Sequence, residues 1–302
     1  MKTNEIYIRD PYVLVYEGKY YMYGTRGTKS WDKSTDGAGF DVFVSEDLES
    51  WSDAIEVFAP PAGFWGKYNF WAPEVHYYNG AFYMLASFKS DNACRGTQIL
   101  RADRPDGAFT VWSEVITPRD WECLDGTLYV EDGVPYMVFC HEWLQVGDGE
   151  MCAVKLKPDL SGADGEPMLL FKASEAPWVK SVRNDEEVPW QTGGVQNGNY
   201  VTDGPFLIKT TDGGLVMIWS SFGEYGYVEA VARSESGKIA GKWLHDTDKP
   251  LFDRDGGHGM VFDTTNGRRM LVLHSPNGPV GAERPRFTEL EERGGKLYVK
   301  EK

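Results

Sequence analysis

One pattern recurs five times along this 302-residue chain: a short acidic or Pro/Gly head, an alternating apolar strand, a Gly-bearing turn and an aromatic strand. The copies read "RDPYVLVYEGKYYMYGT" from Arg9, "WAPEVHYYNGAFYMLASF" from Trp71, "LDGTLYVEDGVPYMVFCHEW" from Leu124, "TDGPFLIKTTDGGLVMIWSSF" from Thr202 and "GHGMVFDTTNGRRMLVLHS" from Gly257. Their turns, at Glu17-Gly18, Asn79-Gly80, Asp132-Gly133, Asp212-Gly213-Gly214 and Asn266-Gly267, carry the residues that tight hairpins need for positive φ. Successive copies start roughly 50 to 80 residues apart, the length of a four-stranded blade with its loops. Almost nothing reads as a long amphipathic helix. The pattern predicts an all-β chain folded as a five-bladed β-propeller, one domain over residues 1–302, with an all-β sandwich as the alternative.

A propeller gives the heads a common address. The first strand of each blade lines the central channel, so Asp10, Glu74, Asp125, Asp203 and His258 are expected around one axial pocket. Carboxylates crowded in one pocket repel, which costs folding energy and drives their pKa values apart, the condition for one acid and one base. Composition narrows the substrate. A net charge of -15 argues against a nucleic-acid partner, and the 14% aromatic content suits a site that stacks flat rings such as sugars. The N-terminus has no apolar signal core and no window approaches a membrane span. Cys94, Cys123, Cys140 and Cys152 show no metal or disulfide spacing. These features lead to the expectation of reduced thiols in a cytoplasmic protein, or a secreted one whose signal has been removed.

At the heads the sequence resembles glycoside hydrolase family 43, whose members are five-bladed propellers acting on arabinose- and xylose-containing glycans. The matching marks are "RDP" at 9–11, "WAPE" at 71–74, "LDG" at 124–126, "DGP" at 203–205 and "GHG" at 257–259. The resemblance implies Asp10 as general base, Asp125 as the residue that holds the acid's pKa and orientation, and Asp203 as general acid. The family's usual residue before Gly-Pro is Glu, and Asp203 is one methylene shorter. It also implies a hydrated calcium ion in the channel near His258, with no cofactor required. Trp71 is the aromatic expected to stack on a sugar, Glu74 a further pocket residue, and Arg9 and Arg286 (in "ERPRF") clamps for hydroxyl or carboxylate groups. Residues 171–199, ahead of the fourth head, read as a long loop forming a pocket wall. The expected activity is an inverting exo-acting α-L-arabinofuranosidase or β-xylosidase on an oligo- or polysaccharide. An endo-glycanase or galactosidase on the same frame and a non-catalytic carbohydrate-binding propeller are the alternatives. Oligomeric state is not legible.

Overall fold

The computed structural model describes residues 1–28, 33, 37–182, 199–245 and 249–300. Among these residues twenty strands form five four-stranded antiparallel sheets, each from consecutive strands. Blade one holds β1 (Arg9–Tyr16), β2 (Lys19–Thr25), β3 (Phe40–Ser45) and β4 (Ile55–Phe58). Blade two holds β5 (Tyr68–Tyr78), β6 (Ala81–Ser90), β7 (Ala93–Ala102) and β8 (Thr110–Val115). Blade three holds β9 (Cys123–Glu131), β10 (Val134–His141), β11 (Glu150–Lys155) and β12 (Met168–Lys172). Blade four holds β13 (Asp203–Lys209), β14 (Leu215–Gly223), β15 (Gly226–Ser234) and β16 (Trp243–His245). Blade five holds β17 (Gly257–Asp263), β18 (Arg269–Ser275), β19 (Arg284–Arg293) and β20 (Lys296–Val299). The first strands touch one another around a closed ring, β1 to β5, β9, β13, β17 and back to β1. The architecture is the five-bladed propeller that the repeat predicts.

The turn chemistry works as expected in three hairpins. Glu17-Gly18, Asn79-Gly80 and Asp132-Gly133 each place both residues at positive φ, the two-residue geometry whose twist matches that of the strands. In blades four and five the loops are longer, and only Gly213 and Gly267 of the expected turn residues take positive φ.

Second strands are apolar at nearly every position because neighbouring blades cover both of their faces. The burial is continuous along β6 up to Phe88, where alternation would be expected of a half-solvated strand. Met22, Met84, Met137 and Met217 occupy one register position in blades one to four, with Leu271 in blade five, all fully buried. A flexible thioether suits the tapering gap between wedge-shaped sheets. Four apolar clusters fill the interblade spaces, and the largest spans blades one, two and five.

Residues 171–199 only partly match the expected loop. Phe171 and Lys172 end β12, Ala173–Glu175 form a 3-10 turn, and Trp178 packs on Trp219 with ring centroids 5.0 Å apart. Residues 183–198 lie outside the described residues.

No strand from the N-terminus completes blade five, so side chains seal the ring. The most deeply buried of these contacts is Arg9 Nη1 to Glu283 Oε1 at 2.9 Å, with Glu283 wholly inaccessible. Arg9 also donates to the carbonyl and side-chain oxygens of Asn277. Removing one partner of a buried pair strands the other charge, so Glu283→Ala is expected to cost about 3–5 kcal/mol in urea denaturation. Loss of under about 1 kcal/mol would show that the pair does not seal the ring.

Candidate active site

Each inner strand is interrupted at the same place. Two of its residues stand opposite one residue of the second strand: Asp10-Pro11, Ala72-Pro73, Asp125-Gly126, Gly204-Pro205 and His258-Gly259. These are β-bulges, which bend a strand and re-aim its side chains. The first residue of each has positive φ: 52° at Asp10, 46° at Ala72, 57° at Asp125, 47° at Gly204 and 50° at His258. For the four residues other than glycine this costs on the order of 1 kcal/mol each. In three blades the next residue is proline, which disfavours the right-handed helical alternative for the residue before it.

The strain is held by a relay of hydrogen bonds from blade to blade. The Ala72 N–H donates to Thr25 Oγ1 (2.8 Å), the Asp125 N–H to Ser87 Oγ (3.0 Å), the His258 N–H to Ser220 Oγ (2.7 Å) and the Asp10 N–H to His274 Nδ1 (3.2 Å). Thr25, Ser87, Ser220 and His274 are the residues paired with the position just before each bulge. The Gly204 N–H differs and donates to Asp125 Oδ2 at 3.0 Å.

Side chains from the bulges converge. Asp10, Asp125 and His258 occupy the equivalent first bulge position, whereas Asp203 precedes its bulge by one residue and Glu74 follows its own. Asp10 Oδ2 accepts the Thr25 hydroxyl at 2.6 Å, and its Oδ1 lies 3.2 Å from His258 Nδ1. His258 Nδ1 is also 3.6 Å from Asp125 Oδ2. Asp203 Oδ2 accepts the Tyr227 hydroxyl at 2.7 Å, and carboxyl oxygens of Asp125 and Asp203 lie within 4.8 Å of one another, near enough that both would not readily ionise together. A Cβ on Gly204 would lie 2.8 Å from the His258 ring, so the imidazole seats directly on this glycine.

The charges separate accordingly. Burial alone would lift the Asp10 pKa, but His258, Arg9 and the Thr25 hydrogen bond outweigh it and hold the carboxyl below its ordinary range. Burial pushes Asp125 up to about 7, aided by the Asp10 charge and opposed by its hydrogen bonds to Asp203 and Gly204. Asp203 rises well above its ordinary value, through burial and then the charge of Asp125. The channel thus sets a carboxyl whose ionised form is favoured beside two whose protonated forms are favoured. Buried His274 has its pKa lowered to about 3, chiefly by burial and then by Arg9, and stays neutral. Accepting the Asp10 N–H at Nδ1 puts its proton on Nε2, 3.1 Å from Asn277 Oδ1.

Other expected residues fall differently. Glu74 is buried farther along its inner strand, 3.1 Å from His76 Nε2, and His76 Nδ1 meets the Tyr12 hydroxyl at 3.3 Å. Trp71 flanks its bulge, half-buried, with the Arg95 guanidinium 4.2 Å from its ring centroid. Arg9 is not presented as a clamp; the buried pair with Glu283 that closes the ring engages it. Arg286 is exposed on β19, the third strand of its blade, over Phe252, which corrects the expectation that it clamps a ligand; Glu283 of the same segment is the residue that reaches Arg9. Asp125, Asp203 and His258 offer donor atoms within 4.8 Å of one another. Three side-chain donors leave most of calcium's many-oxygen shell to water, so an ion at His258 would be a hydrated accessory, and no chemistry below passes through it. The sequence reading missed Thr25, Ser87, Ser220 and His274, although each is a polar residue ending an apolar second-strand run. Tyr227 and Glu229 on β15 carried no such signal.

The chain belongs to the glycosyl hydrolases family 43, whose profile matches residues 5–292. It is 37% identical to the endo-arabinase of Bacteroides thetaiotaomicron, over 98% of each chain and with a TM-score of 0.86. An endo-1,4-β-xylanase from the same organism is 25% identical over 98% of this chain and 94% of its own, with a TM-score of 0.75. The extracellular endo-α-(1→5)-L-arabinanase 1 of Bacillus subtilis is 24% identical over 56% of this chain; the match spans 57% of that relative's length.

Fully buried Glu229 supports the relay from behind, its Oε2 accepting the Ser220 hydroxyl and the Gly259 N–H at 2.8 Å each. Burial lifts its pKa from 4.5 to about 8. The folded carboxyl keeps a proton that the unfolded one loses, so its cost to stability is absent below about pH 4.5, grows as pH rises and levels off above about 8. Glu229→Gln retains an acceptor and cannot ionise. It should flatten this dependence, gaining on the wild type by up to about 1.4 kcal/mol for each step of one in pH across that window. Parallel stability curves for the two proteins would refute a buried titrating Glu229.

Proposed function

We propose that the chain is an inverting glycoside hydrolase that cleaves arabinose- or xylose-containing polysaccharides, with internal cleavage of an arabinan backbone the favoured activity. The observation that carries this reading is the convergence of three buried carboxyls in the channel, with the surroundings of Asp10 favouring its ionised form and those of Asp125 and Asp203 favouring protonation. Asp10 takes a proton from water as the water oxygen attacks the anomeric carbon. Asp203 gives its proton to the departing sugar oxygen, and the carboxylate left behind accepts the Tyr227 hydroxyl. Asp125, next to Asp203, keeps that proton in place between turnovers. The product anomer is inverted, and proton transfer through solvent resets the two carboxyls.

Endo action is favoured over the exo action expected from sequence because three relatives carry endo-acting names. The name of the Bacillus relative also places that protein outside the cell. The cytoplasmic expectation is therefore not supported, and an extracytoplasmic site of action fits a polymeric substrate. A hydrated calcium ion at His258 belongs to this proposal only as an accessory outside the mechanism, checked by chelation. The shorter Asp203 keeps a second reading open, a carbohydrate-binding propeller without turnover.

Two variants decide between the readings. On linear arabinan oligosaccharides, Asp10→Asn should fold normally and lose about three decades of rate, within the usual range for a catalytic base. Asp203→Ala should lose most activity on oligosaccharides but keep a much larger fraction on aryl glycosides with acidic phenols, which leave without protonation. Equal loss on both substrates would remove Asp203 from the acid's role. Sugar binding by a wild type that cleaves none of these substrates would establish the binding reading.

A further inference from the structure

The relay of bulge amides has one exception, and it falls beside Asp125 and Asp203. In blades one, two, four and five the residue paired just before the bulge is Thr25, Ser87, Ser220 or His274, and each receives the bulge N–H of the next blade. Blade three has Cys140 there, paired with Leu124 as Thr25 is with Arg9. Cys140 is fully buried with a free thiol. A thiol is a weak acceptor, and the Gly204 N–H that it would receive goes to Asp125 Oδ2 instead, at 3.0 Å.

We infer that Cys140 is a positioning residue: by failing to capture the Gly204 N–H, it leaves that amide to anchor Asp125 against Asp203. The role is indirect, since the thiol needs to touch no substrate. A backbone N–H donated to a carboxylate favours its ionised form. The same bond orients Asp125 toward blade four, where Asp203 begins β13. With an ordinary hydroxyl at this position the relay would be complete and Asp125 would lose its anchor. The inference rests on the proposed acid role of Asp203 for its kinetic consequence and on the relay geometry alone for its structural one.

The test inverts the usual order of severity. Cys140→Ala removes the sulfur and supplies no acceptor, so Asp125 should keep the Gly204 N–H, and kcat and pH profile should stay within about twofold and a few tenths of a pH unit of wild type. Cys140→Ser is closer in size yet supplies the missing acceptor. It should lower kcat on arabinan oligosaccharides about tenfold. Because the doubly ionised pair loses a donor, the alkaline limb should move up by about one pH unit. A carbon-13 carboxyl titration should show the same upward movement at Asp125, and a crystal structure should show the Gly204 N–H on the introduced hydroxyl. Should Cys140→Ser not fold, Cys140→Thr brings the group that Thr25 uses in blade one.

An unmoved limb and Asp125 titration in the hydroxyl variant would overturn the inference. So would the same movement in Cys140→Ala, which would assign the effect to packing. If the wild type cleaves no glycan, the proposed function fails, while the titration and the crystal structure still decide the role of Cys140.

Discussion

Much of this molecule depends on how the backbone N–H at the head of each inner strand is satisfied. A bulge turns that amide out of its own sheet, and a buried amide without a partner costs more than most single contacts contribute. Every blade meets the demand with a side chain from the blade before: a second-strand residue in four, His274 among them across the junction between the chain's last and first blades, and the Asp125 carboxyl for Gly204. The same bonds that join the sheets therefore hold Asp10, Asp125 and His258 at positive φ and direct them to a common point. Blade packing and site geometry are two consequences of one arrangement.

The arrangement also explains how three acidic groups share a small buried volume. Asp10 is surrounded by groups that favour its ionised form: His258, Arg9 and the Thr25 hydroxyl. Asp125 and Asp203 have fewer compensating groups, and burial together with their mutual repulsion favours a proton on the pair. Neutral His274 supplies an acceptor to the Asp10 amide without adding charge. The cost of burying this cluster is borne by a core in which the second strands are covered on both faces, from the methionine layer outward.

The repeat was legible because each copy carries its own turn signal and an apolar run long enough to be a buried strand. Convergence of Asp10, Asp125, Asp203 and His258 followed from that repeat and from the topology of a propeller. Register within the heads was not legible. Asp203 and Glu74 look like equivalents of Asp10 in the sequence, but the bulges displace them by one residue before and two after. Arg9 stands just before the bulge at Asp10, so the strand that directs the Asp10 carboxyl to the channel sends the Arg9 guanidinium to Glu283. Arg286 looked like a pocket residue by its neighbours, but its place on a third strand leaves it in solvent. The capturing residues went unread because a lone serine or threonine ending an apolar strand has no meaning until the neighbouring bulge is known.

Protonation in the channel is the central claim, and neutron diffraction from a deuterium-exchanged crystal at neutral pH observes it directly. The account predicts a deuteron between the Asp125 and Asp203 carboxyls, none on Asp10, and one on His274 Nε2 facing Asn277. A deuteron on Asp10, with Asp125 and Asp203 both bare, would contradict it.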